Sequence, residues 1–241
     1  MKLLIAIPAY NEEKIIQKNI MEICRFCISH MAQYDWSIVV ADNNSTDLTQ
    51  SIVKRVSQKL PRVIYMMVSQ KGKGIAVRSA WLKNDADIYC FMDADLAVDL
   101  EALPRLIAAI ADEHYDIACG SRYHKESRVK RTRLRKIISL GYRLILKIVF
   151  HLRVKDAPCG FKAINRKVWK EVLPKIKSNE WFFDSELIII AEHYGFRIKE
   201  IPVAWEEKNE KGRKSRVNIL ALSIEYIKKV LELKKRLSNK I

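Results

Sequence analysis

The chain has 241 residues, a length that suits one large domain or one domain with a short appendage. Its hydrophobic fraction of 49% and its low glycine and proline content exclude collagen-like, disordered and disulfide-scaffold proteins. The net charge of +16 lies in three basic stretches, residues 122–136, 208–216 and 228–240. Since the rest of the chain is neutral, these stretches indicate an anionic partner: nucleic acid, a phospholipid surface or a phosphorylated small molecule.

The cysteines and the apolar runs indicate where in the cell the protein is expected to lie. The chain opens on a strand-like run at 3–8, and no window reaches the length of a spanning helix, so we expect neither a signal peptide nor a transmembrane segment. Cys90 and Cys119 lie in apolar runs, which predicts buried, reduced thiols in a cytosolic protein. Cys24 and Cys27 have the spacing of a zinc or redox half-site, but no second pair completes one.

Short apolar runs alternate with helical periodicity in the first half of the chain. Strands are predicted at residues 3–8, 37–41, 63–68, 88–92 and 117–120. Helices are predicted at residues 12–31, 48–60, 74–82 and 100–111. Asn11 is expected to cap the first helix, with Glu12 and Glu13 in its first turn. The alternation predicts an α/β fold, with a mostly parallel central sheet and helices on both faces.

Polar residues follow each predicted strand, at the edge where parallel sheets bind ligands. Ordinary turns are also rich in Asp, Asn and Gly, so most of these residues alone decide little. Asp93 and Asp95 are different, because they flank a small residue directly behind the apolar run 88–92. Two carboxylates at this spacing suit Mg²⁺ or Mn²⁺ carried with a diphosphate, whose departure the ion would assist as a Lewis acid.

Taken in order, these motifs resemble the family 2 inverting glycosyltransferases of the GT-A fold. The resemblance rests on residues 7–12, 42–46, 72–74 and 93–95. Later motifs are similar to those of the polyprenyl (dolichyl) phosphate sugar transferases, at residues 120–122, 156–162, 181–187 and 201–203. The resemblance implies a GT-A domain over 1–217, followed by a basic amphipathic helix over 218–241.

The resemblance implies a hexosyltransferase that moves one sugar from a nucleotide diphosphate sugar to a polyprenyl or dolichyl phosphate, with Mg²⁺ or Mn²⁺. Residues 159–162 and 181–184 look closer to the glucosyl than to the mannosyl branch, so UDP-glucose is the first donor and GDP-mannose the second. The expected location is cytoplasmic, with peripheral attachment to the membrane. A family 2 transferase with another acceptor, such as a glycan or a cell-surface polysaccharide, is the alternative.

The resemblance also implies roles for individual residues. Those expected to bind the nucleotide sugar are Pro8, Tyr10, Glu12, Asp42, Asn44, Lys73, Asp93, Ala94, Asp95 and Arg216. Asp93 and Asp95 would hold the metal, while Asp95 and Asp184 are assigned to catalysis, Asp184 as a positioning residue and possible base. Four positions depart from the family pattern: Asn43-Asn44 replaces Asp-Gly, Ala97 replaces a frequent Gln, and Arg216 replaces a Lys.

On the acceptor side, the resemblance assigns the lipid phosphate to Arg122, Arg135 and Ser139. The segment 131–152 is expected to lie in the membrane interface, because an apolar stripe and a basic stripe share one helical pattern. A helix packed on the core would show the same pattern.

Two other classes of protein fit the sequence less well. A nucleic-acid-binding protein would suit the charge, but the basic residues lie beside an apolar stripe and no recognition motif is present, so no nucleic acid is expected. A sugar nucleotidyltransferase would need a Gly-rich loop near residue 10. Asp184 and Glu186 follow an aromatic run at a predicted helix start, where we expect the paired acids to orient an acceptor or the sugar hydroxyls. A solvated helix N-terminus that favours acids is the plain alternative.

Overall fold

The computed structural model describes residues 1–206 and 219–238. Within these ranges the strands are β1 (Lys2–Ala9), β2 (Asp35–Asp42), β3 (Val63–Met67), β4 (Ile88–Met92), β5 (Ile117–Ser121), β6 (Arg128–Lys130), β7 (Phe161–Asn165), β8 (Ile198–Pro202) and β9 (Ala204–Glu206). The helices are α1 (Ile16–His30), α2 (Thr49–Lys59), α3 (Lys73–Lys83), α4 (Leu103–Ala111), α5 (Arg133–Phe150), α6 (Arg166–Glu171), α7 (Phe183–His193) and α8 (Ile219–Ser238).

Seven strands form the central sheet, in the order β3-β2-β1-β4-β7-β5-β8. Every pairing is parallel except those of β7, which runs antiparallel to both β4 and β5. Strands β6 and β9 form a small separate parallel pair. The predicted α/β fold with a mostly parallel sheet is confirmed, and the carboxyl ends of β1, β2, β4 and β5 share one edge.

Alternating side chains of β1 are buried in two separate hydrophobic cores, one on each face of the sheet. Leu3, Ile5 and Ile7 pack with helices α1, α2 and α4, while Leu4 and Ala6 pack on the opposite face with α3 and α5 to α8. A strand buried on both faces needs this continuous apolar run, which is why β1 and β4 read as unbroken hydrophobic segments. All five cysteines are free and buried, and burial raises the pKa of the Cys24 thiol to about 11.

The start of the first helix differs from the prediction. Helix α1 begins at Ile16, and Asn11 does not cap it. Asn11 instead adopts a left-handed φ of 53° and binds the neighbouring loop, where its Oδ1 accepts the N–H of Thr46 at 2.7 Å. The Glu13 carboxylate likewise accepts the N–H of Leu48. These polar residues therefore join the loops after β1 and β2, rather than serving helix α1.

Helices α5 and α8 pack against each other and against the α7 face of the sheet, with the rings of Tyr142 and Tyr226 5.1 Å apart. The predicted apolar stripe of α5 divides in two. Ile145 and Val149 pack on the core, whereas Ile137 and Ile148 remain 67% and 65% exposed. No helix in the described part of the chain has both the length and the apolar character needed to cross a bilayer.

Candidate active site

The loops after β1 and β2 form a connected polar wall. The Asp42 carboxylate is buried, and its Oδ1 accepts the N–H of Ser45 at 3.1 Å, while its Oδ2 accepts the hydroxyl of Tyr65 at 3.1 Å. The hydroxyl of Ser45 in turn accepts the N–H of Asn11 at 2.9 Å. Tyr10 is exposed beside this wall, with the Lys71 ammonium 5.8 Å from its ring. The geometry thus places Tyr10 and Asp42 at one edge, as the sequence predicted.

Asn44 stands where the resembling family usually has glycine, and the backbone shows why Asn is tolerated. Its φ is 59°, in the left-handed region that Asn adopts more readily than other side-chain-bearing residues. The preceding Asn43 fixes the next loop, because its Oδ1 accepts the N–H of Gly72 at 2.6 Å and its Nδ2 donates to the Gln70 carbonyl at 2.6 Å. The departure from the motif therefore preserves the turn.

The glycine turn before α3 packs tightly on the loop that leads to α7. Gly72 has a φ of 132°, and a Cβ there would lie 2.2 Å from the Asn179 carbonyl oxygen. A Cβ on Gly74 would lie 2.6 Å from the Cβ of Phe183. Because neither position has room for a side chain, Lys73 is held directly beside the start of α7.

Lys73 joins two acids from distant parts of the chain. Its ammonium lies 2.8 Å from Oδ1 of Asp93, at the end of β4, and 2.7 Å from Oδ2 of Asp184, on α7. The Lys73 and Asp184 side chains are 6% and 4% exposed, whereas that of Asp93 is 40% exposed. The two carboxylates that the sequence singled out therefore share one cation.

The charges of this cluster shape its ionisation. Burial lowers the pKa of Lys73, but the carboxylates of Asp184 and Asp93 outweigh burial and raise it above its ordinary value. Burial raises the pKa of Asp184, and the ammonium groups of Lys73 and Lys162 oppose that rise. The Lys73 side chain therefore stays protonated.

The end of β4 suits a divalent ion that brings further oxygen ligands with it. Asp93 and Asp95 follow the strand, and Oδ1 of Asp95 accepts the N–H of Ala97 at 3.1 Å. A Cβ on Gly160 would lie 2.0 Å from Oδ2 of Asp93, so the bare backbone of Gly160 cradles that carboxylate. Across residues 1–206 and 219–238, no three His, Cys, Asp or Glu side chains converge into a complete metal site. Two carboxylates therefore fit a metal completed by a diphosphate.

Lys162 belongs to the motif at 156–162, but the sequence analysis gave it no individual role. It is fully buried on β7, pairs in register with Phe91, and donates to the Cys159 carbonyl oxygen. Both lysines lie beside the same aromatic ring, since the ammonium groups of Lys73 and Lys162 are 5.2 Å and 5.6 Å from the Phe91 ring centroid. Only the insertion of β7 beside β4 brings Lys162 here, and that pairing has no local sequence signal.

Arg122 is engaged by a buried acid. Its Nε and Nη2 donate to the two oxygens of Asp156 at 2.8 and 2.7 Å, and its backbone N–H donates to Oδ2 at 2.7 Å. Burial raises the pKa of Asp156, but the guanidinium outweighs burial and holds that pKa below its ordinary value. The sequence predicted Arg122 as a ligand of the acceptor phosphate; a phosphate would have to approach the other edge of this guanidinium.

Ser139, on α5, lies close to Tyr123 and to the guanidinium groups of Arg131 and Arg143. Its hydroxyl contacts the hydroxyl of Tyr123 and accepts from Nη1 of Arg131 at 2.8 Å. The guanidinium carbons of Arg131 and Arg143 lie 5.2 Å and 5.0 Å from the Tyr123 ring centroid. Arg131, Arg143 and Tyr123 were not assigned to the acceptor from the sequence, although the basic stretch 122–136 drew attention to their surroundings.

Two predicted residues have no described side chain. The backbone of Arg135 lies in α5, but its side chain is outside the described atoms. Arg216 lies outside the described residues altogether. Their proposed contacts with the acceptor phosphate and with the nucleotide sugar therefore stay predictions.

Glu186 does not accompany Asp184 into the site. Its carboxylate accepts the N–H of Ser178 at 2.7 Å and the Nη1 of Arg236, on α8, at 2.6 Å. Residues two apart on a helix point in different directions, so the two acids of α7 serve different neighbours. The interpretation of Asp184 and Glu186 as a pair that faces the ligand is wrong for Glu186, which anchors α8.

Comparison with known proteins gives matches over most of the chain. The family model described as Glycosyl transferase family 2 matches residues 4–173. The dolichyl-phosphate beta-glucosyltransferase of Saccharomyces cerevisiae is 30% identical over 248 residues, covering 95% of this chain and 72% of the relative. A protein of the same name from Trichomonas vaginalis is 32% identical over 211 residues, covering 83% and 63%. Glycosyltransferase AglD of Haloferax volcanii is 29% identical over 207 residues, covering 86% and 33%. The chain thus spans less than two thirds of the length of the latter two relatives.

Solved structures share the fold. Glucosyl-3-phosphoglycerate synthase from Mycobacterium tuberculosis, in complex with Mn²⁺, UDP and phosphoglyceric acid, aligns with a TM-score of 0.70 at 17% identity, covering 97% of this chain and 78% of that one. A mannosyltransferase from Pyrobaculum calidifontis, in complex with GDP-Man and Mn²⁺, aligns with a TM-score of 0.57 at 19% identity, covering 98% and 69%. These likenesses confirm the predicted GT-A fold.

Proposed function

The chain belongs to glycosyl transferase family 2, and on that premise we propose that it transfers glucose from a nucleotide diphosphate sugar to the phosphate of a dolichyl or other polyprenyl lipid. The observation that carries the proposal is the convergence of Asp93 and Asp184 on Lys73, at the carboxyl edge of the sheet. The names of the relatives from yeast and Trichomonas support the glucosyl and dolichyl parts. UDP-glucose is the first donor, and GDP-mannose the second.

The donor lies along the loops after β1, β2 and β4 in this proposal. Asp42, fixed by Ser45 and Tyr65, faces the nucleoside, with Pro8, Tyr10, Glu12 and Asn44 around it. Asp93 and Asp95 would hold Mg²⁺ or Mn²⁺, which neutralises charge on the leaving diphosphate when bound. The relatives in fold that carry Mn²⁺ support a divalent ion.

The acceptor phosphate is ionised near neutral pH, so it needs positioning more than it needs a strong base. One of its oxygens forms a bond to the anomeric carbon, while the bond to the diphosphate oxygen breaks and its electron pair leaves with the diphosphate. Attack opposite the leaving group inverts that carbon. Asp184 positions the reacting groups, and Ser139, Arg135 and Arg122 orient the acceptor phosphate by charge-assisted hydrogen bonds.

Peripheral attachment to a membrane is part of the proposal. Helix α5 leaves a row of apolar side chains exposed on one face, namely Leu134, Ile137, Leu144 and Ile148. The stretch 122–136 that leads into this helix carries eight basic residues and one acid. An apolar face flanked by cations is the pattern of a helix that lies in an anionic bilayer surface, where the acceptor phosphate also lies.

The activity is tested by product identification. The full chain is incubated with Mg²⁺ or Mn²⁺, with UDP-glucose or GDP-mannose, and with dolichyl phosphate, undecaprenyl phosphate or 3-phosphoglycerate, and products are identified by mass spectrometry. The proposal expects a glucosyl lipid with release of UDP. Transfer to 3-phosphoglycerate alone, or to no lipid phosphate with any donor, would overturn the acceptor assignment.

Membrane attachment is tested with matched triple variants. Replacement of Ile137, Leu144 and Ile148 by Ser should lower co-sedimentation with anionic liposomes at least about tenfold, because each loses apolar surface that the bilayer would bury. The thermal transition should stay nearly unchanged, since all three side chains are exposed.

The control places the same change on a different surface. Ile28, Leu48 and Leu82 are 65%, 64% and 57% exposed on other parts of the molecule, so their replacement by Ser should leave liposome binding intact. Equal loss of binding in both triple variants would contradict a membrane face on α5, as would unfolding of the α5 variant alone.

A further inference from the structure

The Lys73 ammonium, which lies between Asp93 and Asp184, pairs with the Asp93 carboxylate that a divalent ion would also bind. The Lys73 ammonium lies 2.8 Å from Oδ1 of Asp93, and the Lys73 side chain is almost fully buried. A divalent ion that binds Asp93 through this oxygen has to displace the ammonium or approach the remaining oxygen. The second oxygen of Asp93 faces the backbone of Gly160, which narrows that approach.

The charge of the cluster is nearly balanced without a metal. Two carboxylates, those of Asp93 and Asp184, interact with two buried ammonium groups, those of Lys73 and Lys162. These four charges cancel, so a free divalent ion gains no net attraction from them, whereas a diphosphate brings at least two further negative charges. In a partly buried site this difference is weakly screened.

We infer that Lys73 is the resident cation of this site, and that it makes the binding of a divalent ion conditional on a diphosphate. The inference rests on the proposed function for the identity of the diphosphate ligand. A free ion meets an Asp93 that is already paired, whereas an ion that arrives with a nucleoside diphosphate brings the anionic charge that replaces Asp93 as a partner.

The surroundings of Lys73 allow it to release Asp93 and remain charged. Its ammonium lies 5.2 Å from the Phe91 ring centroid and 5.4 Å from that of Trp181, and both aromatic faces favour a cation. Its second carboxylate, Asp184, is buried and stays in contact. The backbone of Lys73 is fixed by Gly72, so only the end of the side chain has to turn.

Direct titration with Mn²⁺ tests the inference without turnover. Free Mn²⁺ is followed by electron paramagnetic resonance on the full chain, first alone and then with saturating UDP. For the wild type we expect weak binding of Mn²⁺ alone and tighter binding with UDP. For Lys73→Met we expect Mn²⁺ alone to bind at least about tenfold more tightly than to the wild type, because a neighbouring positive charge is removed.

Lys71→Met is the matched control. It removes the same charge two residues away, where the side chain is exposed and its ammonium lies beside Tyr10. Its affinity for Mn²⁺ alone should equal that of the wild type within about twofold. An equal gain in both variants would show a general effect of net charge and overturn the inference.

A second variant guards against a folding defect, since Lys73→Met leaves Asp184 buried without its cation. Lys73→Met combined with Asp184→Asn removes the buried pair together, and it should bind Mn²⁺ alone more tightly than Asp184→Asn does. No gain in that comparison, or wild-type protein that binds Mn²⁺ equally with and without UDP, overturns the inference. Failure of the proposed function shows differently, as absence of any glucosyl lipid with the wild type.

Discussion

Two buried ion pairs lie near the same edge of the sheet and differ in how completely their acids are satisfied. In the pair Arg122–Asp156, both carboxylate oxygens accept N–H groups of the arginine. In the pair Lys73–Asp184, the ammonium contacts Oδ2 only, and Oδ1 has no hydrogen-bond partner within the described part of the chain. The saturated Asp156 carboxylate has no oxygen left to accept from a ligand, whereas Asp184 retains an acceptor and shares its cation with the partly exposed Asp93.

The choice of cation matches each task. An arginine fork fits both oxygens of one carboxylate and fixes their orientation, whereas a lysine ammonium is a point charge that can serve two carboxylates at once. Asp156 in turn begins the segment that brings Gly160 against Asp93. The saturated pair Arg122–Asp156, called the closed pair below, therefore helps to position Asp93. Asp93, Lys73 and Asp184 form the unsaturated group, called the open cluster below.

Breaking the closed pair should have the largest effect on stability. Asp156→Asn leaves the buried guanidinium of Arg122 without a counter-charge, which typically lowers the free energy of unfolding by about 3–5 kcal/mol. Urea denaturation of the two proteins measures the difference. Glu206→Gln is the control, because the Lys130–Glu206 pair is 77% and 58% exposed and such pairs contribute about 1 kcal/mol or less. Similar losses in both variants would contradict the structural role of Asp156.

The same pair predicts a pH dependence. Because the folded pKa of Asp156 is depressed, its contribution is present above the unfolded pKa of about 4 and is lost as pH falls through the folded value. The free energy of unfolding of the wild type should therefore fall more steeply below about pH 4 than that of Asp156→Asn. Denaturation series between about pH 2 and 6 give the two slopes, and equal slopes would contradict the prediction.

Breaking the open cluster should remove activity and spare the fold. Asp93→Asn should lower the glucosyl transfer rate by about 10²–10³-fold, equivalent to about 3–4 kcal/mol, because a metal carboxylate is lost. The thermal transition should shift little, since the Asp93 side chain is 40% exposed. Asp99→Asn is the control, an exposed acid that follows the same strand and whose carboxylate accepts the N–H of Glu101 at 3.0 Å. Full activity in Asp93→Asn would remove this residue from the site.

The sequence predicted the parts of this comparison that local patterns encode. Strand β4 was predicted at its observed bounds, and Asp93 followed from its place behind a buried strand. The antiparallel β7 was not predicted, because its place between β4 and β5 depends on pairing across the chain. For that reason Lys162, although part of the motif at 156–162, was given no role in the site. Asn11 and Glu186 were misjudged because their partners, Thr46 and Arg236, lie far away in sequence.

The smallest effect on the free energy of unfolding is expected at Glu186, which lies on the same helix as Asp184. Glu186 is saturated like Asp156, by two backbone N–H groups and by Arg236 of α8. Arg236→Ala removes two hydrogen bonds of the guanidinium, to Glu186 and to the Lys175 carbonyl oxygen, at a side chain that is 29% exposed. It should lower the free energy of unfolding by about 1–2 kcal/mol.

Hydrogen exchange places that loss on α8. Amides of α8 should exchange faster in Arg236→Ala, while those of α7 near Asp184 keep their protection, because Glu186 retains its two backbone donors. Lys235→Ala removes the same charge from an exposed neighbour and should leave both helices unchanged. Faster exchange throughout α7 would mean that the contact between Arg236 and Glu186 also holds Asp184 in place. The two acids of this helix would then act as one unit, although they contact different neighbours.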